Sequence, residues 1–543
     1  MVDTRDLKSL GSNTVPVRVR SPAPKQGCNL TKIAALFLNR KHQEASIMNK
    51  FLKIVLVFVL ICACLTGCAK YELNGRGAAS YNVTVEGAVF GGSGKDQIKT
   101  TVSFDPRWVT ENDNTKYNRD LAAFAALISD DIYFRTKDAD KGIANRVLYE
   151  GENADEYDWT NFLKQVGFSE VQYIESYKAK EYSGDGNDSV TMLLAHGVVD
   201  GKYDLYTVVL RGCFSVQEWL SAFDPGCPGE TYTELTGEHP EWTDHDSHKG
   251  LDIAKNRAME FIEDFMAENN NPDYKDCILV TGHSRGGSIA NMIGAEMERD
   301  QGVRSYTYTF NSPCVTTDES AKDFRTIFNV FDSNDYYIDS LPFGNEKFYR
   351  YGVDLTMPID SSDAVKAEIA KLKGRDDFVS LTSEAKAEFA ELFGKRFPDR
   401  VSLYEMKTVS QTFDTEEAAL ARVEACLNLI GAENGLDLAG LCCLNGNTEG
   451  EQILPGETDF SKAVIADENG KYQVAMTYCD GAILAAYAKS LAYGEAAYKA
   501  TTQLFEEDKE ACEVIGLLME NAAGVTGGHL MINSFALSKY VGE

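Results

Sequence analysis

The chain has 543 residues, 44% hydrophobic and 25% charged, with a formal net charge of −30 at pH 7. That length holds one large domain with an insertion, or two smaller domains. The acidic balance argues against nucleic acid and against electrostatic binding to anionic lipid, because both partners carry the same sign as the protein.

In chain order, residues 1–47 carry no fold signal and are expected to be an unstructured extension. Residues 48–67 follow the plan of a secretion signal: Lys50 and Lys53 precede an apolar stretch, 54–65, that is too short for a comfortable transmembrane helix. Leu65-Thr66-Gly67-Cys68 resembles the bacterial lipobox. That resemblance implies lipidation of Cys68 and an exported protein anchored to the outer face of the bacterial cell membrane; an uncleaved membrane anchor is the alternative. A diacylglyceryl cysteine anchors firmly where a single acyl chain would not. Residues 68–118, polar with glycine-rich stretches, are expected to form a tether and an edge strand or two. Of 13 cysteines, Cys28, Cys62 and Cys64 belong to residues 1–67. Those remaining beyond Cys68 have no metal-ligand spacing and give no assignable disulfide framework.

Residues 119–351 alternate helix-like and strand-like runs. Residues 118–133 and 159–166 read as helices. His196 stands before a hairpin turn at Asp200-Gly201, and 205–210 is a strand ending at Arg211-Gly212-Cys213. Val216, Trp219, Leu220 and Phe223 then fall at i, i+3, i+4 and i+7, the spacing of a short amphipathic helix. After His248-Lys249-Gly250, a second helix carries Leu251, Ala254, Ala258, Phe261 and Phe265 on one stripe.

Residues 277–281 read as a buried strand and 289–297 as a helix; between them lies Gly282-His283-Ser284-Arg285-Gly286-Gly287. A Gly-x-Ser-x-Gly between strand and helix is a nucleophile elbow, in which a strained turn presents the serine hydroxyl. The alternative is a structural glycine turn. The following helix N-terminus supplies amide donors for a developing oxyanion, so Ser284 is the candidate nucleophile. Arg285 is unusual at a helix start, where a cation opposes the macrodipole. A solvated or ion-paired side chain is expected there, ahead of one that faces a substrate anion.

The Arg-Gly-Cys after a strand, the Trp219 helix, His248-x-Gly250 and the elbow, in this order, resemble the class 3 (fungal-type) lipase family of the α/β-hydrolases. The resemblance spans about residues 205–343. It implies an α/β fold with a mostly parallel central sheet, and a lid helix whose residues here are Val216, Trp219, Leu220 and Phe223. It also implies a triad acid after the second strand beyond the elbow. Strand-like runs at 304–310 and 326–331 lead to Asn334-Asp335, with Leu341-Pro342 following, which resembles the family's acid segment. Asp335 is the expected acid, with Asp332 and Asp339 on the same loop as alternatives.

The family also places its histidine near the C-terminus. Of seven histidines, His42 precedes the signal, and His196, His239, His245 and His248 precede Ser284; His283 belongs to the elbow. His529, after Gly527-Gly528, completes the order Ser284, Asp335, His529, its alternative role being a helix cap. The backbone amides of Cys213 and Arg285 would form the oxyanion hole. The family usually carries Ser or Thr where Cys213 stands, so a third, hydroxyl contact is not expected.

Between acid and histidine, residues 352–480 are expected to be a helical insertion, a cap, with helices over 364–372, 383–393 and 414–430; Asp414 and Glu417 suggest a capping box for the third. Residues 481–543 return to the core. The resemblance implies a serine carboxylic-ester hydrolase acting on acylglycerol-type lipid, with no metal or organic cofactor. The alternatives are a short-chain or glycan esterase or acyltransferase on the same triad, and a catalytically idle surface-binding lipoprotein.

Overall fold

Alternation of apolar residues along buried strands builds the centre of the molecule. The computed structural model describes residues 71–74, 80–86, 97–133, 163, 166, 168–176, 190–213, 216–226, 242–301, 303–339, 346–430, 442–446, 452–453, 460–484, 502, 505–506 and 508–542. The segment expected to be a secretion signal, Cys68 and most of the expected helix at 159–166 lie outside them.

Three strands, β1 (Tyr71–Asn74), β2 (Ser80–Glu86) and β3 (Gln97–Ser103), pair antiparallel in a small sheet, one strand more than the sequence suggested. This sheet packs on the central core through Ile98 and Val102, and Phe104 stacks on Phe124 with ring centroids 4.1 Å apart. Helix α1 (Arg119–Asp131) follows, capped by the Asn118 side chain, which accepts the Leu121 N–H.

The central sheet has seven strands: β4 (Glu170–Ser176), β5 (Val190–Val199), β6 (Tyr203–Leu210), β7 (Lys275–His283), β8 (Arg304–Phe310), β9 (Ile327–Asp332) and β10 (Val353–Met357). Their spatial order is β10-β9-β8-β7-β6-β5-β4, parallel from β6 to β10 and antiparallel over β4-β5-β6. The β5–β6 hairpin turns where expected, with Asp200 and Gly201 both at positive φ.

Successive residues of β7 serve opposite faces. Cys277 and Leu279 join a cluster with Leu121, Phe124, Tyr306 and Tyr308; Ile278 and Val280 join one formed with two helices on the other side. Helix α2 (Val216–Ala222) comes ahead of these two, which are α3 (Lys249–Asn269) and α4 (Arg285–Glu296). Of the stripe expected on α3, Leu251, Ala254, Ala258 and Phe265 are buried there against Ile289, Ala290 and Ile293 of α4; Phe261 is only partly buried, and Ile262, not expected in the stripe, is buried beside it. Each large apolar side chain buried this way stabilises the fold by roughly 1.5–3 kcal/mol.

Beyond β9 the sheet gains β10 before the insertion begins, so the expected boundary at 352 falls just ahead of a core strand. The helices expected in the insertion are present as α5 (Asp363–Lys373), α6 (Ser383–Arg396) and α7 (Glu416–Ile430). Its composition differs from the expectation in one respect. Strands β11 (Lys407–Phe413), β12 (Cys442–Asn445), β13 (Gln452–Ile453), β14 (Val464–Ala466) and β15 (Tyr472–Tyr478) form an antiparallel sheet, on which α7 packs through Val423, Cys426 and Leu427. The insertion is therefore mixed α and β. Thr415 caps α7 by accepting the Ala418 N–H, while Asp414 pairs with Lys471, so the capping box expected at Asp414 is replaced. Helices α8 (Lys509–Glu520), α9 (Ala522–Gly528) and α10 (Met531–Leu537) complete the chain. Met531, Ile532 and Phe535 return α10 to the core cluster of β8 and β9.

Candidate active site

Ser284 occupies the turn between β7 and α4 with φ 57° and ψ −131°, a conformation costly for any residue with a Cβ. The backbone enforces it. A Cβ on Gly282 would stand 2.4 Å from Gly286 O, and one on Gly286 would stand 2.3 Å from Leu210 O. The Ser284 N–H donates to Phe310 O (2.9 Å), and Ser284 O accepts the Ser288 N–H (3.0 Å) as the first helical bond. The side chain is buried except for 7% of the residue surface.

The histidine and acid expected from opposite sides of the insertion meet. His529 Nδ1 lies 2.6 Å from Asp335 Oδ2 across 194 residues of sequence. Asp335 is fully buried and accepts the Tyr337 N–H on Oδ1 (2.9 Å), which fixes its carboxylate plane. His529 Nε2 is buried and has no hydrogen-bond partner among the described residues. The imidazole is thus held at one nitrogen with the other left for chemistry. Gly527 and Gly528 form the last turn of α9. A Cβ on Gly527 would stand 2.1 Å from Val379 O, so the insertion presses directly on the histidine turn.

The alternatives to Asp335 are placed differently. Asp332 accepts the Asn334 and Ile359 N–H groups on Oδ1 and the Ser380 hydroxyl on Oδ2. Burial pushes its carboxyl up to about 6 against these donors, helped by the charge of Asp335. The Asp339 side chain lies outside the described residues. His248 sits at the N-terminus of α3, where burial lowers its imidazole to about 4. His196, given no role from sequence, pairs with Asp204 at 2.9 Å; Asp204 also accepts the Asn271 N–H, so this pair latches the β5–β6 hairpin to the end of α3.

The loop carrying Cys213 runs beside the nucleophile. A Cβ on Gly212 would stand 2.9 Å from Ser284 Cβ and 2.8 Å from His283 O. The Cys213 thiol donates to Glu218 O at 3.4 Å, and burial raises its pKa. Arg285 is not solvated. It is buried, and both Nε and Nη2 donate to Ser221 Oγ (3.0 and 2.9 Å), which in turn donates to Gly250 O (3.0 Å).

Helix α2 is therefore fastened on its polar side. Glu218 accepts from Arg211 Nη2 at 3.1 Å with both side chains sealed from solvent. On the other side, Trp219 packs on Tyr337 (ring centroids 5.5 Å), and Tyr337 packs on His529 (4.7 Å). Trp219 and Phe223 join an apolar cluster with Phe389, Phe393 and Tyr404 of the insertion. The side chains of Val216 and Leu220 lie outside the described residues. Among the described residues no cluster of His, Cys, Asp and Glu could hold a metal ion, and no helix is long and apolar enough to cross a membrane.

Residues 207–343 match the family model described as lipase (class 3). Among solved structures, the chain is similar to the Lip2 lipase of Yarrowia lipolytica at 17% identity and TM-score 0.24, covering 35% of this chain and 66% of that one. It is similar to Rhizomucor miehei triacylglyceride lipase at 18% identity and TM-score 0.26, covering 44% and 79%. It is also similar to a triacylglycerol lipase from Penicillium expansum at 14% identity and TM-score 0.25, covering 35% and 72%. The chain thus spans about two thirds to four fifths of the lipases it matches. No curated protein matches it. With a mostly parallel seven-stranded sheet and the family match across its elbow, the chain has the α/β-hydrolase fold and the core of a serine ester hydrolase.

Proposed function

We propose that the chain hydrolyses carboxylic esters, of lipid type, through Ser284, Asp335 and His529. The observation that carries this reading is the 2.6 Å bond between His529 Nδ1 and Asp335 Oδ2, with Nε2 unpartnered among the described residues and the histidine turn tied to the residue before Ser284. In the proposed reaction Nε2 takes the Ser284 proton as Oγ attacks the ester carbonyl. Asp335 keeps the imidazole tautomer and stabilises the imidazolium without taking the proton. The amides of Cys213 and Arg285 receive the oxyanion. The alcohol leaves with the proton from His529, and water cleaves the acyl-enzyme by the same route. Turnover of a soluble chromogenic ester by the full chain, lost in Ser284→Ala, tests this reading.

The anchoring of α2 favours a second statement about the same site. Held by Arg211, Arg285 and Cys213, and covered by insertion aromatics, α2 acts as a fixed wall of the pocket rather than a lid that opens at a lipid surface. A soluble or short-chain ester then fits the site as well as emulsified lipid does. For location, the lipobox-like segment supports export and a lipid anchor at Cys68, which would hold the enzyme at a membrane surface without electrostatic attraction to it.

A further inference from the structure

His283 lies beneath the elbow between two partners. Its Nδ1 is 2.8 Å from Tyr133 Oη, and its Nε2 is 2.9 Å from the backbone carbonyl oxygen of His529. A carbonyl oxygen only accepts, so Nε2 carries a proton. Burial, together with the neighbouring His529, holds the His283 imidazole well below its usual pKa, so it is neutral and has one proton. Its Nδ1 must then accept, and Tyr133 donates. Burial keeps the Tyr133 phenol well above its ordinary range, so that donor stays protonated. Each group has one role, and the tautomer of His283 follows from both ends.

The same phenol touches the oxyanion loop. A Cβ on Gly212 would stand 2.1 Å from Tyr133 Oη, which makes glycine necessary beside Cys213. Tyr133 and His283 thus contact three parts that must be in register: the loop of Cys213, the turn of Ser284, and the backbone of His529. Helix α1, just ahead of Tyr133, is tied to β7 independently by Ser129 Oγ and Thr281 Oγ1 at 2.9 Å. Loss of the phenol hydroxyl therefore leaves the helix in place.

We propose that Tyr133 and His283 are positioning residues for the base. Tyr133 fixes His283 in the Nε2–H tautomer, and His283 grips the carbonyl of His529, which aligns the His529 ring with Ser284. The proposal rests on the Ser284–Asp335–His529 reading. It differs from simple burial of a satisfied polar pair, which would affect folding and leave the chemistry of correctly folded molecules unchanged.

The test uses the full chain with His283→Leu, His283→Gln and Tyr133→Phe. Active sites are counted by fluorophosphonate labelling run to completion, and kcat per labelled site and KM are measured on a soluble ester. His283→Leu is expected to lower kcat per site by about 10- to 100-fold with KM within about twofold, the cost of a misplaced base. His283→Gln, whose amide offers an acceptor to Tyr133 and a donor to the carbonyl, should recover most of that loss. Tyr133→Phe should lower kcat per site by roughly 3- to 10-fold. Unchanged kcat per labelled site in Tyr133→Phe and His283→Leu, with loss only of melting temperature or labelled fraction, overturns the proposal. If His283→Leu does not fold, the near-isosteric Tyr133→Phe decides alone. A folded wild type that neither labels nor turns over ester would sink the triad reading instead, which separates the two failures.

Discussion

Arg211 and Glu218 meet at 3.1 Å with both side chains fully buried, and this pair joins the end of β6 to the middle of α2. Breaking one side of such a pair leaves an uncompensated buried charge. Glu218→Ala is expected to cost about 3–5 kcal/mol of stability, read from denaturant unfolding. A cost under about 1 kcal/mol, the range of exposed pairs, would show that α2 is loosely held.

The same anchoring predicts the kinetics. Turnover of a long-chain ester should saturate smoothly through its solubility limit, and Trp219→Ser should lower activity on soluble and emulsified esters alike. Trp219 touches Tyr337, which packs on His529, so its loss disturbs the site directly. A sharp rise in rate at the solubility limit, with Trp219→Ser raising activity on the soluble ester, would restore α2 as a moving lid.

Asp332 gives a pH dependence with a definite sign. Its folded pKa, about 6, lies above the ordinary carboxyl value of 3.8. The protonated form is therefore favoured in the fold, and its contribution is complete below about pH 4 and lost as pH rises through 6. The loss amounts to at most about 3 kcal/mol by pH 7. Asp332→Asn keeps an acceptor for the Asn334 and Ile359 N–H groups and removes the titration. Its melting temperature should gain on the wild type between pH 4 and 7. Parallel pH profiles for the two proteins would count against a raised Asp332.

The proposed export and lipid anchor predict that Cys68→Ser leaves an unprocessed precursor or releases the protein from membranes, measured by fractionation and intact mass. A cleaved Cys68→Ser protein that stays in the membrane fraction would contradict a lipid anchor.

Local signals were legible and distant ones were not. The glycines around Ser284 mark the elbow because the turn requires them, and the stripe on α3 repeats with the helical period. In α2 the apolar face is readable from its spacing, but nothing in the sequence marks Glu218 as buried. Its partner Arg211 precedes the helix, and only the packed structure seals the two together. The insertion's sheet is not legible because β11 and β15 pair across about sixty residues while helix α7 between them dominates the periodicity. Asp335 and His529 could be reached by the order of motifs. Tyr133 could not, since nothing near it in sequence announces a bond to His283.

Labelling with a fluorophosphonate, followed by mass spectrometry of the digested protein, tests the central claim most directly. The account predicts one adduct, on Ser284, formed rapidly by the full chain and slowed by orders of magnitude in His529→Ala, with Asp335→Asn between the two. A folded wild type without an adduct, or an adduct that persists in Ser284→Ala, would contradict it.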